Sequence, residues 1–242
     1  MVRFTTVYDN ETLDPNLASA WGFACLVGDG LLFDTGGDAR RLLSNMEKMG
    51  IDPMGIRTVV LSHAHGDHTG GLSGLLDAGA RPTVYVPRSF PRRFKADVRS
   101  LTALVEVEGP VEIRPGIHTT GEVGSRPVEQ ALAVETTSGM VVVTGCAHPG
   151  VVELVRRAKE SVGGGVALVL GGFHLGSASR RQVERIIADF RDLGVQQVAP
   201  CHCTGDRAMR TFAEEYGDDF TNVGVGRVIT VGSEEQSEIA SH

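Results

Sequence analysis

Short apolar runs, each stopped by glycine or a polar cluster, alternate along this chain with stretches in which apolar residues return every three or four positions. The first pattern predicts buried strands and the second amphipathic helices. Strands are expected over 2–7, 21–27, 30–33, 59–61 and 83–86 in the first half. In the second half they are expected over 131–136, 140–144, 166–170, 195–199 and 223–231. Gly28-Asp29 and Ser138-Gly139 read as hairpin turns. Asp38 can cap a helix over 39–49 that Gly50 ends, with Leu42, Leu43, Met46 and Met49 on its buried stripe. Leu72, Leu75 and Leu76 mark a short helix, and 151–158 a longer apolar one. Ser179 with Gln182 forms a capping box before a helix whose stripe is Val183, Ile186, Ile187, Phe190 and Leu193, and 206–216 completes the set. The recurring unit is strand, strand-end loop, amphipathic helix, which predicts an α/β domain with its chemistry on the loops. Residues 1–232 read as one domain and 233–242 as a polar tail.

One strand end carries an unusual load. Leu61-Ser62-His63-Ala64-His65-Gly66-Asp67-His68 places three of the chain's eight histidines and an aspartate directly after an apolar run. His63 and His65 alternate and can converge on one ion, while Asp67 and His68 can face a second beside it. Imidazole and carboxylate donors suit zinc, and also manganese or iron. The pattern predicts a metal site. In the second half, Gly145-Cys146-Ala147-His148 leaves a buried strand much as the His63 loop does, and His174 lies on a Gly-flanked turn ahead of a helix.

The His-x-His-x-Asp-His pattern after a hydrophobic strand resembles the signature of the metallo-β-lactamase superfamily. Leu32-Phe33-Asp34-Thr35-Gly36 is similar to that family's early strand-end motif, whose aspartate buttresses the metal loop. Gly145-Cys146-Ala147-His148, Gly171-Gly172-Phe173-His174 and Pro200-Cys201-His202-Cys203-Thr204-Gly205 resemble a narrower branch, which includes proteins similar to the synthase of ribofuranosyl-aminobenzene phosphate. The resemblance implies a four-layer αβ/βα sandwich of two mixed sheets, with two divalent metal ions at one edge. It implies His63 and His65 as ligands of the first ion and Asp67 and His68 of the second, with His202 as a further ligand of the second. His148, by its parallel with His63, is preferred over His118 as third ligand of the first. Cys146 stands where many relatives carry a bridging aspartate, and reads equally as a ligand or a buried structural thiol. Asp67 and His174 are the expected catalytic groups. Asn10, on an early loop, and Thr204 are expected to face substrate, although Asp9-Asn10 also suits a simple turn.

The implied activity is a hydrolase that turns a metal-activated hydroxide on a small ester, lactone or phosphoester. A transfer joining a phosphoribosyl donor to an aminobenzoate with decarboxylation, and a non-catalytic metal-binding sensor, are the alternatives. A net charge of −7 argues against a general nucleic-acid binder. Within this acidic chain the stretch 87–100 is locally basic, and Arg88 and Arg92 are candidates to hold an anionic group of a small-molecule substrate. Charge runs are also ordinary solvated faces. Four unpaired-looking cysteines suggest no disulfide scaffold. The absence of a signal-like start or a long apolar run predicts a cytoplasmic protein with no membrane partner.

Overall fold

The computed structural model describes residues 1–233. The expected tail therefore lies, beyond its first residue, outside the described residues. Two mixed sheets face one another. The first runs β13 (Val228–Val231), β1 (Val2–Tyr8), β2 (Ala24–Val27), β3 (Leu31–Phe33), β4 (Thr58–Val60), β5 (Thr83–Pro87), β6 (Leu104–Val107). The second runs β12 (Val195–Cys201), β11 (Val166–Gly172), β10 (Met140–Thr144), β9 (Leu132–Val134), β8 (Ile117–Thr119), β7 (Val111–Arg114). The neighbours from β3 to β6 and from β10 to β12 pair in parallel, and the rest are antiparallel.

Side-chain alternation explains the layers. Leu31, Phe33, Val141, Val143, Leu168 and Leu170 point into the core between the sheets. Their neighbours Leu32, Val142 and Val169 point outward, under helices. Both faces are covered, so these strands read as unbroken apolar runs. Outside the first sheet lie α1 (Ala39–Lys48), α3 (Leu72–Asp77) and α4 (Arg92–Arg99), which bury Leu42, Met46, Leu75 and Val98. Outside the second lie α5 (Val151–Val162), α6 (Arg180–Asp192) and α7 (Asp206–Tyr216), which bury Leu154, Ile187, Phe190 and Phe212. This is the expected four-layer αβ/βα sandwich. Asp38 caps α1 by accepting from the Arg41 amide, and the Ser179–Gln182 capping box opens α6.

Some boundaries differ from the sequence reading. The strand expected over 21–27 starts only at Ala24, because Gly22 turns at φ +138° against the Asp67 carbonyl. The strand expected over 223–231 is confined to β13, and Val225 instead bridges Thr12. Strands β6, β7 and β8 and helix α4 were not anticipated, since the strands are short and broken by glutamate or histidine and four basic residues mask the helix.

The parallel strands matter most for function. The strands β3, β4, β10, β11 and β12 all end at one rim, the carboxyl side where open α/β sheets build their sites. Among the described residues, the non-glycine residues with positive φ are Asp34 (+57°), Ala147 (+61°), His174 (+52°) and His202 (+52°). Each follows one of these strand ends. Such backbone costs about 1–3 kcal/mol per residue and persists where its surroundings over-determine it.

Candidate metal centre

The loop after β4 carries Ser62, His63 and His65 into a single helical turn, α2 (Gly66–Thr69), that presents Asp67 and His68. Opposite stand Cys146 and His148 after β10, His174 after β11, and His202 after β12. Six histidines thus meet at one rim. The His63 ring centroid lies 4.5 Å from that of His65, 4.3 Å from His68 and 4.7 Å from His148. The His68 and His202 rings are 5.0 Å apart.

Hydrogen bonds decide which nitrogen of each ring faces inward. Asp34, fully buried, accepts from the Ser62 amide (2.7 Å), the Ser62 hydroxyl (2.7 Å) and His68 Nδ1 (2.7 Å). A carboxylate only accepts, so His68 Nδ1 carries the proton and Nε2 is left as a donor to a metal. Ser62 Oγ spends its proton on Asp34 and must accept from His63 Nδ1 at 2.9 Å, which frees His63 Nε2. Glu129 accepts from His148 Nδ1 (3.0 Å) and from the amides of Cys146 (2.9 Å), Ala147 (2.8 Å) and His148 (3.0 Å). Asn10 donates to the His202 carbonyl at 2.9 Å, and its Oδ1 accepts from the Gly22 amide and from His202 Nδ1 at 3.0 Å. In four rings, then, the outer nitrogen is pinned by protein and the inner one is left with a lone pair. This outer bracing is characteristic of metal-ligating histidine.

The inner atoms fall into overlapping sets. Asp67, His68, Cys146 and His202 each bring one ligand atom within 4.8 Å of the others, as do His63, Cys146 and His148. His65 Nδ1 lies 3.0 Å from His63 Nε2 beside the second set. Cys146 Sγ is 3.2 Å from His68 Nε2 and 3.3 Å from His202 Nε2, so it stands at the junction. A further set, Cys146, His174 and Cys203, shares the same sulfur. The imidazole, cysteine and carboxylate donors, at these separations, suit a divalent metal ion.

Burial and neighbouring charges act on the same groups. Burial, helped by the neighbouring histidines, pushes His63 down to about 2, so its ring is neutral and ready to ligate. Burial opposes charge on His68, but the Asp34 carboxylate outweighs it and raises the ring's pKa. Burial likewise opposes charge on Glu129, yet the His148 hydrogen bond, His63 and the backbone amides bring it down to about 2. Asp67 is held well below the usual carboxylate range: burial works against this and is overcome by His202 and His68.

Other expected residues have different settings. Thr204 is fully buried; its hydroxyl donates to the Cys201 carbonyl (2.7 Å) and accepts from the Phe173 amide (3.1 Å), so it ties two strand ends together instead of facing substrate. Asn10 lines a cleft, but its amide is committed to His202. Arg88 is paired with Glu108, and Lys95 and Arg99 with Glu106, so the basic stretch is largely neutralised by its own neighbours. Arg92 is exposed on the first turn of α4, outside the lining of either cleft beside the centre. His118 pairs with Glu135 on β8, away from the cluster. His174 is exposed at the rim, its ring 4.4 Å from that of His148. Glu129 and Cys203 were not anticipated. The one available signal for Glu129 was a lone acid, with Gln130, at the entry to an apolar run.

Two clefts flank the cluster. One of about 690 Å³ is lined by Asn10, Trp21, His202, Cys203, Met209 and Arg210, with Trp21 tilted against the His202 ring at 4.9 Å. The other, about 360 Å³, is lined by His65, Phe90, Arg126 and Pro127.

Comparison with known proteins follows the same lines. The sequence pattern of the Metallo-beta-lactamase superfamily matches residues 17–151. The chain is 30% identical over 245 residues to the 7,8-dihydropterin-6-methyl-4-(beta-D-ribofuranosyl)-aminobenzene-5'-phosphate synthase of Methanocaldococcus jannaschii, covering 82% of this chain and 83% of the relative. The crystal structure of Tm1679, a metal-dependent hydrolase of the beta-lactamase superfamily, matches at a TM-score of 0.82 and 28% identity, over 96% of this chain and 100% of that one. Human tRNase Z, short form, matches at 0.62 and 14% identity over 94% and 98%, a likeness of fold alone. By its sequence match, its two-sheet sandwich and the histidine-rich rim between the sheets, the chain belongs to the metallo-β-lactamase superfamily.

Proposed function

We propose that the protein is a metal-dependent hydrolase of a small-molecule ester, lactone or phosphoester, built to hold two divalent ions, zinc in first place. What supports this most is the pair of donor sets that share Cys146, each with its outer ring nitrogens pinned. His63, His65 and His148 would hold one ion, and Asp67, His68, Cys146 and His202 the other. When bound, such ions supply Lewis acidity and water acidified at neutral pH.

The chain's own groups supply the rest. Asp67 remains a carboxylate at neutral pH and lies between His68 and His202, at 3.6 and 3.4 Å from their Nε2 atoms, where it would bring negative charge to a bound ion. Partial burial and the neighbouring His148 lower the pKa of His174, so its neutral ring offers one N–H to an oxyanion at the rim. The clefts on either side give a small molecule access to both ends of the cluster. Among the described residues, no helix is long and apolar enough to cross a membrane.

The test is elemental analysis of protein purified without added metal, beside His68→Ala, followed by hydrolysis of nitrophenyl esters, lactones and bis-nitrophenyl phosphate. About two equivalents of metal, falling in the variant, with turnover of one substrate class, is the expected result. No metal in the parent protein overturns the reading. His174→Ala should lower turnover by about 10²-fold or more with metal content unchanged; loss of metal would make His174 a ligand instead. The identity to a named synthase favours a second reading, transfer of a phosphoribosyl group to an aminobenzoate with loss of carbon dioxide. Carbon dioxide release that requires both reactants distinguishes it from hydrolysis.

A further inference from the structure

We propose that Cys146 and Cys203 form a peroxide-driven disulfide that reversibly disables the metal centre. Its consequence for metal rests on the reading above; the cross-link itself rests on geometry. Cys146 lies two residues beyond the end of β10 and Cys203 two residues beyond the end of β12, with β11 between them. Two inter-strand spacings put these strands about 10 Å apart, too far for direct pairing of side chains along the sheet. At the rim, however, both cysteines lean over the end of the middle strand, at Gly172. A Cβ placed on Gly172 would lie 2.8 Å from Cys203 Sγ and 3.3 Å from Cys146 Cα. The missing side chain is what lets the two sulfurs approach. They lie within 4.8 Å of each other, and Cys203 Sγ is 3.5 Å from the Cys146 carbonyl oxygen. A disulfide bond is about 2.05 Å long, so oxidation must draw the two sulfurs closer than they stand here.

Access and consequence both favour this pair. Cys25, Cys146 and Cys201 are buried, whereas Cys203 is only partly so and lines the larger cleft, so an oxidant meets Cys203 first. Cys146 belongs to all three ligand sets, so among the described residues no other single atom removes donors from every candidate ion position. The chemistry balances with hydrogen peroxide as oxidant. The Cys203 sulfur attacks one peroxide oxygen, giving a sulfenic acid and one water. The Cys146 sulfur then attacks the sulfenic sulfur, forming the S–S bond and releasing the second water. In sum, two thiols are oxidised by two electrons and one peroxide is reduced to two waters. A sulfur committed to Cys203 no longer carries the negative charge that an ion needs, and an ion on Cys146 withholds it from the Cys203 sulfenic acid. Oxidation and metal binding therefore oppose each other reciprocally.

The experiment treats metal-free protein with hydrogen peroxide and follows intact mass, peptide mapping and zinc uptake. The expected result is loss of two hydrogens, a peptide cross-link joining Cys146 to Cys203, loss of zinc uptake, and recovery of both with dithiothreitol. Zinc added beforehand should slow the cross-link. Cys146→Ser should form no cross-link and instead leave a Cys203 sulfenic acid that dimedone traps. A link through Cys201 or between chains, two intact thiols after treatment, or a cross-linked protein that still takes up its zinc would overturn the proposal. Reduced protein that never binds zinc would refute the metallohydrolase reading, and the peptide map would still decide the cross-link.

Discussion

Replacing Glu129 by glutamine removes one negative charge from behind His148 while keeping the side chain's shape. Glu129 Oε1 accepts from the Cys146 and Ala147 amides, and Oε2 from the His148 amide and His148 Nδ1. Glutamine keeps the first pair by placing its carbonyl there. Its NH₂ then meets the His148 N–H donor to donor, and His148 Nδ1 must turn from donor to acceptor. The ring proton moves to Nε2, the nitrogen needed for an ion. One buried unpaired N–H costs about 1–3 kcal/mol, which for a chain of this size lowers Tm by about 2–4 °C per kcal/mol. Disturbing the bracing of a ligand histidine costs about 10–100-fold in metal affinity. Zinc competition against a chromophoric chelator and thermal unfolding of the metal-free protein measure the two effects. The pH dependence adds a sign. Glu129 titrates at about 2 in the folded chain against 4.5 for the free group, so the stability it contributes is present above 4.5 and is lost as pH falls through 2. The difference corresponds to about 3 kcal/mol, so the gap in Tm between parent and variant should be widest near neutrality and narrow in acid. Zinc affinity equal to the parent's, or a gap in Tm that ignores pH, would refute the reasoning.

Other perturbations probe separate parts of the molecule. Asn10→Ala frees both His202 Nδ1 and the His202 carbonyl, and should weaken the Asp67–His68–His202 position by about 10–100-fold while the His63 position fills as before; two-step zinc titration resolves them, and equal weakening at both would argue against separate bracing. Leu168→Ala opens the core between the sheets and should cost about 2–5 kcal/mol, read as a shifted urea midpoint with an unchanged m-value.

Local chemistry made much of this protein legible in its sequence. The apolar runs of β10 and β11, the Asp38 cap and the Ser179–Gln182 box are decided by residues a few positions apart, and they appear where expected. The His63–His68 loop was equally plain, because its donors share one strand end. The resemblance supplied the order of the layers and the likeness of the later motifs. The bracing of the centre could not be read in this way. Asn10 and His202 are 192 positions apart and meet only because the two sheets bring their strand ends to one rim. Glu129 reaches the Cys146 amide across 17 positions because β9 and β10 pair as antiparallel neighbours. Pairing within each sheet also corrected local guesses. Thr204 is turned inward to Phe173, and the basic stretch meets Glu106 and Glu108 on a strand and loop whose position no charge count reveals. Sequence by itself determined most of the strands and helices and the donors of the His63–His68 loop, since propensity and periodicity act over short range. Tertiary structure alone decided which nitrogen of each ring is free, and that Gly172 lets Cys146 and Cys203 approach, since a hydrogen bond or a missing Cβ has meaning only against the atoms that folding places beside it.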